Sequence, residues 1–209
     1  MAITNYSELQ TAIDNWLART DLAGRSPEFI ALAEARMNRE LETRSQEKRV
    51  TSTLTADDAY LTLPTDLRQI RSVRLNTNPR TVLKLLSPAS ADAEHPSTGT
   101  GKPIYYSVIG EEMYLRPTPD SSYTVEIAYV AGIDALSSSN TSNTILTRHP
   151  DVYLHGSLSA AYGYLLDDAR QSQHDALFTR AISEIKIEEE ASKFGGAPLT
   201  VQSSYGEIT

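Results

Sequence analysis

The sequence predicts an α+β fold: a helical bundle formed by the N- and C-terminal helices, an inserted antiparallel β domain, and an extended C-terminal tail. Apolar residues recur at helical spacing over segments 1–49 and 145–194. Period-two runs broken by turn residues fill 50–144. Residues 195–209 carry neither pattern at a length that folds alone, and no internal repeat is visible.

The first helix places Tyr6, Leu9, Ile13, Trp16 and Leu17 on one face, and Asn5 with Glu8 resembles a capping box. Asp21 to Ser26, with Gly24, is a turn. Ser26-Pro27 restarts a helix, serine as cap and proline in the first turn. That helix sends Phe29, Ile30, Ala33, Met37 and Leu41 inward and leaves Glu34, Arg39, Glu40, Arg44 and Glu47 on a charged side. Strands are expected at Val50 to Thr55, Tyr60 to Leu63, Ile70 to Asn76, Val82 to Leu86, Ile104 to Ile109, Met113 to Arg116 and Tyr123 to Ala131. Pro64-Thr65-Asp66-Leu67 is a helical turn, Ser87-Pro88 a helix start, and Gly110-Glu111 the centre of a hairpin. The polar run Ser137 to Asn143 closes the section.

After His149-Pro150, the residues Val152, Leu154, Leu158, Tyr162, Leu165 and Leu166 cover more than half a helix circumference, so this helix is expected to be central. Gly156, Ala160 and Gly163 form a small-residue stripe along it. Glycine in a helix costs about 1 kcal/mol relative to alanine, so two on one stripe point to close packing against another helix, within one subunit or between two. A last helix, from about Arg170 to Phe194, turns Leu177, Phe178, Ala181, Ile182 and Ile185 inward and ends at Gly195-Gly196.

Composition excludes several function classes. Acidic residues outnumber basic ones, 27 to 19, which does not suit a broad grip on nucleic acid phosphates. There is no cysteine, hence no disulfide, thiolate metal site or thiol nucleophile, and assembly in a reducing cytoplasm fits. The N-terminus lacks a signal-peptide pattern, and no stretch approaches the roughly 18 apolar residues of a membrane span.

The candidate chemistry is thin. Asp151 and His155 share a helix face at metal-ligand spacing, with His149 nearby, but no third ligand is evident. Asp167-Asp168 and Glu188-Glu189-Glu190 supply carboxylates for a two-metal nuclease, yet consecutive carboxylates on a helix diverge. Gly99-Thr100-Gly101-Lys102 lacks the spacing of a phosphate loop, and Pro103 stands where serine or threonine belongs. No nucleophile elbow accompanies Ser, His and Asp. A hydrolase or nuclease has little support; no catalytic residue, cofactor or metal is expected. The 11 tyrosines suit core and subunit packing better than base stacking on so acidic a chain. Arg71, Arg74 and Arg80 form the nearest thing to a basic cluster, to be solvated or to meet acidic neighbours in an assembly.

Several stretches together resemble the podovirus head–tail adaptor family, also known as tail tubular protein A. They are Tyr6-Ser7-Glu8-Leu9 through Trp16-Leu17, Phe29 to Arg39, Leu63-Pro64-Thr65-Asp66-Leu67-Arg68-Gln69-Ile70, Pro103 to Val108, Leu115-Arg116-Pro117-Thr118-Pro119, Tyr123 to Tyr129, and His149-Pro150-Asp151 leading into the helix that ends Leu165-Leu166-Asp167-Asp168. None is a catalytic signature; their order and spacing carry the likeness. The resemblance implies a structural subunit at the head–tail junction of a virion, in a homo-oligomeric ring of about twelve copies. Its partners would be the portal protein above and a tail nozzle or tail tube protein below, with DNA passing through the centre without sequence-specific binding. The alternative is another tail or baseplate component. A channel that lets DNA slide works best with a negative wall, and Glu184, Glu188, Glu189 and Glu190 are candidates to face it. In similar adaptors the C-terminal end reaches up along the portal. Here Leu199, Val201, Tyr205 and Ile208 alternate with polar residues after a double glycine, as a portal-docking strand would.

Overall fold

The computed structural model describes residues 2–19, 21–22, 24–96 and 99–194 and is of the α+β class. The chain divides into two compact units, Met1–Leu41 with Ile145–Thr209, and Glu42–Thr144.

Helix α1, Tyr6–Leu17, begins where the Asn5 side chain accepts the Glu8 backbone N–H at 3.0 Å. The reciprocal half of a capping box is missing: the Glu8 carboxylate instead accepts the Thr4 backbone N–H and hydroxyl, both at 2.7 Å. Leu9, Ile13 and Leu17 are buried, but Trp16 is 53% exposed at the edge of the stripe. Helix α2, Ser26–Glu40, has Pro27 in its first turn. Ser26 lies inside the helix, not at its cap, because its hydroxyl donates to the Asp14 carboxylate of α1.

The second unit opens with a single helical turn, Arg44–Gln46, and β1, Glu47–Leu54. Then follow β2 (Tyr60–Thr62), β3 (Leu67–Leu75), β4 (Thr81–Val82), β5 (Lys84–Leu85), α3 (Pro88–Glu94), β6 (Thr100–Gly101), β7 (Tyr105–Ile109), β8 (Glu112–Arg116), β9 (Thr118–Pro119) and β10 (Tyr123–Ala131). Two four-stranded sheets form, ordered β1-β10-β3-β4 and β2-β8-β7-β5, and β6 pairs with β9. Most pairings are antiparallel; β5 with β7 and β6 with β9 are parallel. The β7–β8 hairpin turns at Gly110, whose φ of 61° is the left-handed conformation such a turn needs.

Both sheets feed one core. Leu54, Val73, Leu75, Val125, Ile127, Tyr129 and Ala131 come from the first, and Tyr106, Met113 and Leu115 from the second. The strand expected at Val82 to Leu86 is two strands: β4 belongs to one sheet, β5 to the other, and Leu83 is buried in the core between them. Alternation continues through the crossing, so it carries no sign of the switch. Helix α3 starts as read, with the Ser87 hydroxyl accepting the Ser90 N–H at 3.2 Å.

Helix α4, Thr144–Arg148, leads into α5, Pro150–Tyr164, and α6, Asp168–Phe194. Helix α5 is buried around most of its circumference and packs against α1, α2 and α6. It stops before Leu165-Leu166; Leu166, at φ 56°, is 86% exposed in the turn. The side chain of Asp167 then caps α6, accepting the Arg170 N–H at 3.1 Å. On α6, Phe178, Ala181, Ile182 and Ile185 are buried, while Leu177, expected inward, is 37% exposed.

Candidate functional site

The small-residue stripe of α5 meets two different environments. A Cβ added to Gly156 would lie 2.9 Å from two Phe178 ring carbons of α6 and 3.0 Å from the Ala33 Cβ of α2. That separation is shorter than carbon atoms tolerate, so Gly156 sits where three helices approach closely. A Cβ on Gly163 would meet only the end of the flexible Gln171 side chain, at 3.0 Å. Ala160 is half-buried.

Charged and aromatic groups that look superficial in the sequence are built into the helical unit. Glu34 is buried, not on a charged face: its carboxylate accepts the hydroxyl of fully buried Tyr153 of α5 at 3.1 Å. Arg36 of α2 pairs with Asp175 of α6 and Glu40, and its guanidinium stacks 4.4 Å over the Phe178 ring. His155 finds its partner on the next helix: its Nδ1 lies 3.1 Å from the Nδ1 of His174. The His174 ring stacks on Tyr162, centroids 5.3 Å apart, and the edge of Trp16 closes on both imidazoles. Two nitrogens at that distance hold at most one proton between them, so the pair cannot carry a charge on both rings.

Burial lowers both histidine pKa values; Asp151, a turn before His155, opposes the effect there, and His155 adds to it at His174. The sign follows from linkage. With folded-state values below the unfolded value of about 6.5, the unfolded chain binds more protons, so stability rises with pH. The contribution is complete above about pH 6.5 and is lost as pH falls through the lowered folded values. Thermal melting between pH 8 and pH 5 should show this decline, and the double variant His155→Gln, His174→Gln should flatten it. An unchanged pH profile in the variant would remove the pair as its source.

In the β unit, Asp66 of the Leu63-to-Ile70 stretch is a junction. It accepts the Lys48 ammonium at 2.9 Å and the Tyr129 hydroxyl at 3.0 Å, and its carbonyl accepts the Gly132 N–H at 2.7 Å. Burial works to raise this carboxyl, but Lys48 and Tyr129 outweigh it and hold it below the usual value. Arg71 pairs with Glu42 and Arg74 with Glu126, so two of the three clustered arginines meet acids of their own chain. Asp92 of α3 accepts the Tyr114 hydroxyl at 2.8 Å and the Arg116 Nε at 2.9 Å, pinning α3 to β8. Lys102, in the loop that loosely resembles a phosphate binder, donates to the Thr77 hydroxyl at 3.0 Å.

The acidic candidates lie toward the end of α6. Glu184, Glu188 and Glu190 are exposed and Glu189 half-buried; Glu184 pairs with Arg180 at 2.8 Å. No residue of α6 from Lys186 to Ser192 is buried, and Ile187 is 67% exposed. Leu199, Val201, Tyr205 and Ile208 lie outside the described residues. Among the described residues, no three His, Asp or Glu side chains converge in the manner of a metal site. No helix there is long and apolar enough to cross a membrane.

Comparison with known protein families matches residues 4–202 to the family model described as SU10 adaptor protein. That span takes in every stretch that carries the resemblance described above. No curated protein matches the chain.

Proposed function

Because the chain belongs to the SU10 adaptor protein family, a phage adaptor family, we propose that it is the head–tail connector subunit of a tailed bacteriophage. The single observation that carries this reading is the family match, which runs through both units. Members of such a family are structural virion components that assemble with other head–tail proteins. In our reading the helical unit and the β unit act as two domains of one subunit. About twelve subunits close a ring under the portal and above a tail nozzle or tube protein. DNA passes through its centre, and the segment beyond Phe194 docks the portal.

The side chains support a structural role over catalysis. His155 and His174 face each other in packing, Asp66 and Asp92 tie strands and a helix, and Arg71 and Arg74 are paired within the chain. The test is electron microscopy of the chain mixed with purified portal, where a symmetric ring on one portal face is expected. Binding to isolated tail parts but not to portal would favour another tail component instead.

A second measurement addresses the channel. If the acidic stretch of α6 with Glu184, Glu188, Glu189 and Glu190 faces DNA, like charge keeps the phosphates off the wall. The free protein should then show no duplex binding by fluorescence anisotropy even at low salt. Tight, salt-sensitive binding would overturn the negative wall.

A further inference from the structure

Among the described residues, the longest open sheet edge belongs to β1; β4 covers only Arg74 and Leu75 of β3, and the shorter stretch left open there carries Arg68 and Arg71. The outer strands β2, β4 and β5 have three, two and two residues, too short to template another strand. By contrast, β1 is an eight-residue edge, paired with β10 at every position from Glu47↔Val130 to Leu54↔Tyr123 without a register shift. On the other side of its backbone Glu47 donates to the Arg44 carbonyl, and among the described residues no further backbone bond is made there from Lys48 to Leu54. The usual protections of such an edge are missing from its second half: Val50-Thr51-Ser52-Thr53-Leu54 holds no charge, proline or bulge. Val50 is only half-buried against the core, as a residue next to an absent strand is.

The same chain carries a matching donor. After Phe194 the sequence Pro198-Leu199-Thr200-Val201-Gln202-Ser203 puts Leu199 and Val201 on one face and Pro198, Thr200 and Gln202 on the other. It bears no charge to oppose Glu47, Lys48 or Arg49, and its proline falls at the first position, where a strand tolerates one. We propose that residues 198–203 of one copy add as a strand to the free edge of β1 in the neighbouring copy, so that Leu199 and Val201 extend the core beside Val50. A closed ring needs two different, complementary surfaces on each subunit, and a donor strand with an acceptor edge supplies both. This inference rests on the ring reading above and assigns the contact that closes it; Tyr205 and Ile208 then lie beyond the added strand, available to the portal.

The test uses the full chain with Leu199→p-benzoylphenylalanine, irradiated alone and with portal, ring formation being followed separately by electron microscopy. Adducts should join two copies, migrating at twice the chain mass, and map to residues 47–54. Thr51→Pro and Ser52→Pro provide the backbone control. Adjacent N–H groups of a strand point to opposite sides, so one variant removes an outward donor while leaving the β10 ladder intact. That variant, identified by unchanged melting, should lower the adduct yield about tenfold. Rings whose adducts fall on the portal, on another surface or within one copy overturn the inference and leave the ring standing. Adducts at β1 between copies without rings support the inference and count against the ring. Absence of inter-copy adducts under every condition overturns it.

Discussion

Gly156→Leu is expected to destabilise the helical unit by about 3 kcal/mol or more, at the top of the range for overpacking a filled core. The backbone of α5 passes so close to α2 and α6 that even a methyl group lands 2.9 Å from the Phe178 ring and 3.0 Å from the Ala33 Cβ. Phe178 is fully buried under the Arg36 guanidinium, so the ring has nowhere to go without disturbing the Arg36–Asp175 pair. For a chain this long, the loss corresponds to roughly 6–12 °C in melting temperature. Gly163 is the control. There the neighbour is a flexible glutamine, and alanine removes the helix cost of glycine, so Gly163→Ala should be neutral or stabilising by up to about 1 kcal/mol. Equal effects at the two glycines in thermal or urea unfolding would mean that the three-helix contact does not govern stability.

The contrast between these glycines marks the limit of local sequence patterns. A stripe of small residues marks a helix face; which of its members meets another backbone depends on crossing geometry that no local pattern encodes. Where signals are local, the sequence was sufficient. Strand β10 spans Tyr123–Ala131 as its alternation predicts, the hairpin turns at Gly110, and Ser87-Pro88 opens α3. Signals that depend on a distant partner misled. Glu34 looks like any surface acid until Tyr153 of α5 supplies its donor. His155 suggested Asp151 at helical spacing, yet its neighbour is His174 on α6. The parallel pairings of β5 with β7 and β6 with β9 involve strands of two residues on at least one side, too short to register as alternation. The five-residue helix α4 is likewise too short for a helical period to show, and Arg44 and Glu47, read on the charged side of the second helix, fall beyond its end at Glu40, in a separate helical turn and in β1.

The largest effect on function is expected from removing residues 197–209, which should abolish portal binding while leaving the fold intact. Among the described residues, the buried cores of both units draw on residues up to Ile185. The truncated chain should therefore melt within a degree or so of the intact one, in keeping with terminal residues outside a core. Its loss should appear in binding alone, as failure to co-sediment with portal rings. A shorter deletion separates two roles of the segment. Ending the chain after Ser204 keeps Leu199 and Val201 for the neighbour's β1 and removes Tyr205 and Ile208. If the last residues hold the portal, this chain still forms inter-copy adducts from position 199 but no longer sediments with portal. If instead it binds as well as the intact protein, the docking contacts lie elsewhere, with α6 and the β unit the next surfaces to scan. Undiminished binding by the longer deletion would place the docking contacts outside the whole segment. The absence of charge between Lys193 and Glu207 sharpens the reading, because portal docking through Tyr205 and Ile208, like strand addition through Leu199 and Val201, should depend weakly on salt. Portal binding that collapses between about 50 mM and about 500 mM salt would point to ion pairs, and so to a surface other than this one.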